Sequence, residues 1–240
     1  MKISNRGAIP PFIVMDVMKA AAEREALGAG VLHMEVGQPS TPAPGGVIAA
    51  AKRALDGDLL GYTLATGILP LRQRIVRHYL EYYGVTLSPE RICVTTGSSA
   101  AFLLTFLAAF DPGDKVAILR PGYPCYRNIL GALDIEAVEV PVGPDSRFQP
   151  TLAALDAAGG GDLDGLLIAS PANPTGSMLR EGELRAILNY CRARNIRYIS
   201  DEIYHQITYG GATSTAVAHD ENAVVINSFS KYYSMTGWRL

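Results

Sequence analysis

The sequence predicts an α/β fold: a mostly parallel central sheet with helices on both faces, three layers in all. Three observations carry that reading. From Arg91 onward, short apolar runs alternate with segments of helical length. The runs are near-continuous in apolar residues, as strands buried on both faces are. Polar, Gly and Pro residues then collect at the C-terminal ends of these runs, where open α/β sheets bind ligands.

The elements follow in order. "PFIVMDVMKAAAEREALGAG" places apolar residues at helical spacing with charges opposite, and glycines end it. "HMEVGQPSTPAP" reads as a short extended piece and a Pro-rich loop. "GGVIAAAKRALDG" and "LPLRQRIVRHYLEYYG" read as amphipathic helices joined by the Gly-bearing loop "DLLGYTLATG". The predicted strands are "ICVTTG", "KVAILRPG", "IEAVEVPV", "GLLIASPANP", "RYISDE" and "AVVINSFS". Helices are expected at 99–110, 124–132, 150–158 and 180–194. No internal repeat or low-complexity tract interrupts this order.

Bulk properties exclude several classes. The 240 residues suffice for one large domain with a substantial core. Hydrophobic residues make up 48% and charged residues 18%, and the net charge is −2. That is ordinary for a globular protein and lacks the basic excess of a nucleic-acid binder. The longest apolar run, "AAFLLTFLAAF", is shorter than the ~20 residues of a membrane span. The N-terminus shows no apolar stretch with a cleavage site, so no signal peptide is expected. Cys93, Cys125 and Cys191 are odd in number and form no CxxC pair. A cytoplasmic protein without disulfides or a metal site is expected.

The strand ends carry the chemistry. "TTGSSAAF" opens a helix near Ser98, whose free N–H groups favour an anion, although the same residues also read as an ordinary cap. In "SPANPTGSML", Asn173-Pro174 is a turn former and Gly176 permits unusual backbone angles. "YISDEIYHQITYG" sets Asp201 at a strand end, three residues before Tyr204. Of five lysines, Lys2, Lys19, Lys52 and Lys115 sit at solvated positions. Lys231 instead follows "AVVINS" and precedes "YYSMTGW". There it can be desolvated into the free amine that Schiff-base chemistry needs. Arg239, eight positions on, offers a planar fork for a phosphate. One ligand uses an anion nest, a carboxylate, phenol and amide donors and an amine together: pyridoxal 5′-phosphate.

In combination and in order, "VGQPS", "GYTLATGILPLR", "TTGSSAAF", "PGYPCYRN", "SPANPTG", "SDEIY" and "SFSKYYSMTGWR" carry a family resemblance. From about Gly37 to Leu240 the chain resembles a fold-type I, pyridoxal-phosphate-dependent aminotransferase of the class I/II group. The resemblance implies the large domain of that fold over 46–240. Residues 1–45 would be an N-terminal segment contributing to a small domain and a dimer contact. It implies that Lys231 is the Schiff-base lysine and proton-transfer base, and that Asp201 pairs with the pyridine nitrogen. Tyr204 and Asn173 would bind the ring oxygen and Tyr123 would stack on the ring. Ser98, Ser99, Ser228 and Arg239 would hold the phosphate, with Ser230 a weaker candidate. Tyr62 would reach the cofactor of a neighbouring subunit, which implies a homodimer with shared sites. Gly37 would lie at the substrate carboxylate.

The activity implied is amino transfer between an amino acid and a 2-keto acid. A C–S β-lyase or related elimination enzyme would share most of the same cradle, and an inactive truncated relative is a further alternative. A sensor fused to a DNA-binding module would need a basic winged helix that the first 30 residues are too short to hold. The family continues past the lysine into a small domain bearing the arginine for the substrate carboxylate. No residue here takes that role, so a fragment of a longer enzyme is expected, with a strand beginning at Trp238. His205 reads as a supporting or surface residue rather than a catalytic one, Cys125 as filling space near Tyr123, and the arginines of "LPLRQRIVRHY" as a solvated face.

Overall fold

The computed structural model describes residues 2–240. Five parallel strands form one sheet: β1 (Lys115–Arg120), β2 (Glu136–Pro141), β3 (Gly165–Ala169), β4 (Arg197–Asp201) and β5 (Val224–Ile226). Their order is β2-β1-β3-β4-β5, so the winding reverses between β1 and β3. Helices α4 (Ser98–Ala109), α5 (Cys125–Ala132), α6 (Leu152–Ala157) and α7 (Glu181–Ala193) cover the sheet. They fall within a few residues of the four ranges predicted. The crossovers β1-α5-β2, β2-α6-β3 and β3-α7-β4 make parallel pairing possible.

The period of two along each strand divides the core between two faces. Val116, Ile118, Leu167, Ile199 and Ile226 pack with Phe102, Phe106, Tyr126 and Leu130 from α4 and α5. Ala117, Leu166, Ile168 and Tyr198 pack with Leu155, Leu184, Ile187 and Leu188 from α6 and α7. All five residues of β3 are buried, as the central strand of three layers must be. The predicted three-layer architecture is the one observed.

Ahead of the sheet lie α1 (Ile13–Ala26), α2 (Gly45–Gly57) and α3 (Leu69–Tyr83). Neither α1 nor α2 buries a residue, whereas α3 buries Arg72 and Tyr79. Among the described residues, no helix is long and apolar enough to cross a membrane. The three cysteines are free.

Two predicted strands do not form. Residues 92–97 are extended at Ile92 (φ −101°, ψ 124°), but no strand lies alongside to complete a ladder. Val94 N–H bonds instead to the Thr66 carbonyl. At the end of the chain, Thr236–Trp238 is a single 3-10 turn. The backbone there folds back, and Phe229 N–H reaches the Leu240 carbonyl. In both places the propensity was extended and the hydrogen-bond partner was absent.

Two residues on α4 test this layering. Phe106 is fully buried, whereas its neighbour Leu107 is more than half exposed. Phe106→Ala is expected to lower the unfolding free energy by about 3–5 kcal/mol, and Leu107→Ala by less than about 1 kcal/mol, measured by urea denaturation. Equal losses would contradict the assignment of that helix face.

Candidate active site

Parallel strands present all their C-terminal ends at one edge. The register sets Ala169 beside Asp201, and Asp201 beside Ile226. The loop after β3, the turn after β4 and the loop after β5 therefore leave the sheet side by side. They bring together Asn173, Asp201, Tyr204, Ser228 and Lys231.

Asp201 is 4% exposed. The Tyr126 hydroxyl donates to its Oδ2, and Ile203 N–H donates to Oδ1 at 3.0 Å. Burial pushes the carboxyl up to about 6, while these two donors pull it down. Tyr126 is in the first turn of α5, with Phe102 against its ring at 4.9 Å. Tyr123 stands edge-on to Tyr126 at 5.3 Å and to Phe12 at 5.9 Å. Burial drives the Tyr123 phenol up to about 12.

Lys231 is half-buried, and desolvation lowers its amine from the ordinary lysine value. Its Nζ donates to the Gly37 carbonyl at 2.8 Å and lies 5.9 Å from the centre of the Tyr204 ring. Thr41 and Ser234, bonded at 2.7 Å, fasten the Gly37 loop to the lysine loop. Burial and the Asp201 charge raise the Tyr204 phenol, and Asn173 opposes them. Asn173 itself sits in a closed turn, with Ala172 N–H on Ser177 O at 2.9 Å and Gly176 N–H on Ala172 O at 2.8 Å. Gly176 takes φ +68° there, as its position in the motif suggests.

The third part lies at the start of α4. Gly97 caps the helix at φ +83°, and the Arg239 guanidinium lies where a Cβ on Gly97 would point. Only glycine lets the arginine reach the helix N-terminus. Arg239 also donates to Thr236 O at 2.8 Å. Ser98 is half-buried and Ser99 exposed on the first turn. The Ser228 hydroxyl donates to Ser230 Oγ at 2.7 Å and accepts from Ser230 N–H at 3.0 Å. Ser230 is buried. A cavity of about 410 Å³ opens alongside, lined by Gly97, Ser228, Tyr79 and His205 among others.

Tyr62 is not brought to this edge by any contact within the chain; its side chain is fully exposed. Sequence reasoning missed Tyr126, Gly97 and Glu202. Tyr126 had a signal, since a second tyrosine one turn after Tyr123 falls on the same side of a helix. His205 is buried and bonded on both ring nitrogens, so a surface location is excluded.

Comparison with known proteins decides the family. The model for aminotransferase class I and II matches residues 29–240. The chain belongs to that family. It is 52% identical to the valine–pyruvate aminotransferase of Mycobacterium tuberculosis, over 100% of this chain and 62% of the relative. It is 33% identical to an aspartate aminotransferase of Thermotoga maritima, over 95% of this chain and 62% of the relative. A crystal structure of an aminotransferase from M. tuberculosis superposes with a TM-score of 0.95 at 51% identity, covering 100% of this chain and 62% of that one. The aspartate aminotransferase of Thermus thermophilus with maleate also gives 0.95, at 29% identity, covering 100% and 63%. This family member thus spans about three fifths of the length of these relatives.

The buried carboxyl has a consequence for stability. The folded value of Asp201, about 6, exceeds the unfolded value of about 4. Between those two pH values the folded state holds the extra proton, so stability falls as pH rises and stays lowered above about 6. In cofactor-free protein, Asp201→Asn should remove that fall and leave the variant more stable than the parent at pH 8, by roughly 1–3 kcal/mol. Thermal melts across pH measure it; parallel curves for the two proteins would show that Asp201 is not a desolvated acid.

Proposed function

We propose that this chain carries the pyridoxal 5′-phosphate site of an aminotransferase that moves an amino group between an amino acid and a 2-keto acid. One observation carries the reading: a desolvated amine, Lys231, and a buried carboxylate, Asp201, share one sheet edge, with no ion pair on either among the described residues. The residues fit the cofactor. Asp201 has donors on both oxygens but no cation among the described residues. Among the described residues, Arg239 has only a carbonyl partner, and it lies against a helix start, where an anion is favoured.

Bound there, the cofactor ring supplies the electron sink for a substrate carbanion. Asp201 would accept a hydrogen bond from the protonated ring nitrogen and keep that proton in place. A cation against it would bring its own pKa down again. Tyr204 and Asn173 would donate to the ring oxygen, and Tyr123 would cover the ring. Arg239, Ser98, Ser99, Ser228 and the α4 N-terminus would hold the phosphate. The amine of Lys231 would bond the aldehyde carbon. Its free amine would be the base placed to take and return a proton at the substrate carbon. Its lowered pKa raises the fraction of neutral amine for that step. Such general acid–base transfer contributes roughly 10²–10⁴-fold.

Gly37, hydrogen-bonded to Lys231, would lie at the substrate's carboxylate end. The exposed Tyr62 would reach the cofactor phosphate of a second copy in a cytoplasmic homodimer. Residues 46–240 would then be the large domain, and 1–45 a segment contributing to a small domain and the dimer contact. Valine and pyruvate are the first substrate pair to assay, because a 52% identical relative bears that name.

The protein loaded with cofactor should show a visible absorbance band that bleaches with the productive amino donor. Borohydride reduction followed by peptide mass spectrometry should place the label on Lys231, and Lys231→Ala should lack the band. Arg239→Ala should weaken cofactor binding about 10–100-fold, the worth of one charge-assisted hydrogen-bond pair. Label on another lysine, or a band that survives Lys231→Ala, would overturn the assignment.

A further inference from the structure

Next to Asp201 stands a second buried acid that the proposed chemistry leaves unused. Glu202 is 1% exposed. It follows β4 directly, and its partners are Ser200 and Ala216 where those of Asp201 are Tyr126 and Ile203. Its Oε1 accepts from the Ser200 hydroxyl at 3.0 Å and from Ala216 N–H at 2.8 Å. Its Oε2 has no hydrogen-bond partner and lies 3.5 Å from His205 Nδ1.

The histidine's own partners decide where the protons sit. Nε2 faces the Ser170 carbonyl at 3.1 Å. A carbonyl only accepts, so Nε2 carries a hydrogen. Nδ1 lies 2.7 Å from the Tyr83 hydroxyl, at the end of α3. In the neutral ring Nδ1 is an acceptor, and Tyr83 donates into it. An ionised Oε2 beside that lone pair would be repelled, whereas a protonated Oε2 would not. The alternative is an ion pair with both charges wholly buried, a costly arrangement that would put a second negative charge directly beside Asp201.

The surroundings favour the neutral pair. The titratable groups facing Glu202 are Asp201 and Tyr198 on β4, Tyr79 and Tyr83 on α3, and His205 in the turn after β4. No arginine or lysine among the described residues bonds to it. Burial pushes Glu202 up to about 7 and His205 down to about 4.

We propose that Glu202 is held as a neutral carboxylic acid and, braced through His205 to Tyr83, acts as a positioning residue for the turn that carries Asp201 and Tyr204. The brace joins three elements: the end of β4, the Ser170 carbonyl after β3 and the last turn of α3. It also leaves Asp201 as the one charge at the end of its strand, on the face where the cationic ring would lie. This role rests on the cofactor reading above, but the protonation state of Glu202 does not.

The test therefore has a cofactor-free arm and a loaded arm. Without cofactor, infrared spectra at mildly acid pH should show a protonated-carboxyl stretch that Glu202→Gln removes. The folded value of Glu202 lies above its unfolded one, so its ionisation lowers stability as pH climbs toward about 7. His205 lies below its unfolded value and acts in the opposite direction from about pH 4 upward. Melting temperatures of Glu202→Gln relative to the parent should therefore rise steadily between about pH 4.5 and 7. The amide copies the neutral acid, so a Glu202→Gln protein that fails to fold, or that is uniformly less stable, overturns the proposal. So does an unchanged carboxyl stretch.

With cofactor loaded, the pH at which the visible band titrates should move in Glu202→Ala and return in Glu202→Gln. If both variants shift it alike, Glu202 acts through charge and the positioning role fails. If no lysine is labelled by borohydride, the cofactor reading fails, while the infrared and stability results still decide the state of Glu202.

Discussion

Burying the Asp201 carboxylate is the constraint on which the site depends. A charge taken out of water at the end of a central strand is unfavourable unless donors meet it. Two donors do, the Tyr126 hydroxyl and Ile203 N–H, and both come from neighbouring elements. Tyr126 reaches it because α5 packs on the sheet face where Ile118, Leu167 and Ile199 are buried. Ile203 N–H reaches it because the chain turns directly after β4. The compensation is incomplete, since the carboxyl remains above the ordinary range. The two donors alone therefore do not offset the burial of this charge.

The parallel sheet turns this single constraint into a site. Strands running one way put every C-terminal loop on the same edge, and the Ala169–Asp201–Ile226 register aligns three of those loops. The lysine loop is tied back to Gly37 from a segment nearly two hundred residues earlier. The glycine at the start of α4 makes room for Arg239. The Arg239 guanidinium, the Asp201 carboxylate and the Lys231 amine are thus held by separate elements whose relative positions the layered core sets. The two hydrophobic clusters serve that placement: each locks two helices against one face, and one of them also holds Tyr126, the donor to Asp201.

The N-terminal helices stand apart from this core. α1 and α2 bury nothing within the chain, and their amphipathic patterns read the same whether the apolar face is covered or open. Tyr62 is a parallel case, legible as part of a motif and fully exposed within the chain.

Much was determined by the sequence alone. Periodicity placed the four covering helices and five strands, since an apolar face must be buried whatever it is buried against. Motif order placed Lys231, Asp201, Tyr204, Asn173, Tyr123 and Arg239 at strand ends or loops, because Gly, Pro and small polar residues mark where strands stop. Tertiary structure decided the rest. Residues 92–97 and 238–240 have strand-like composition and are not strands, because a strand exists only when a neighbour completes its hydrogen bonds. Tyr126, Glu202 and His205 gained their roles through partners 75, 14 and 122 positions away in sequence, which no local pattern encodes. Whether a buried acid is charged depends on the groups that face it in space, and only the folded chain assembles those.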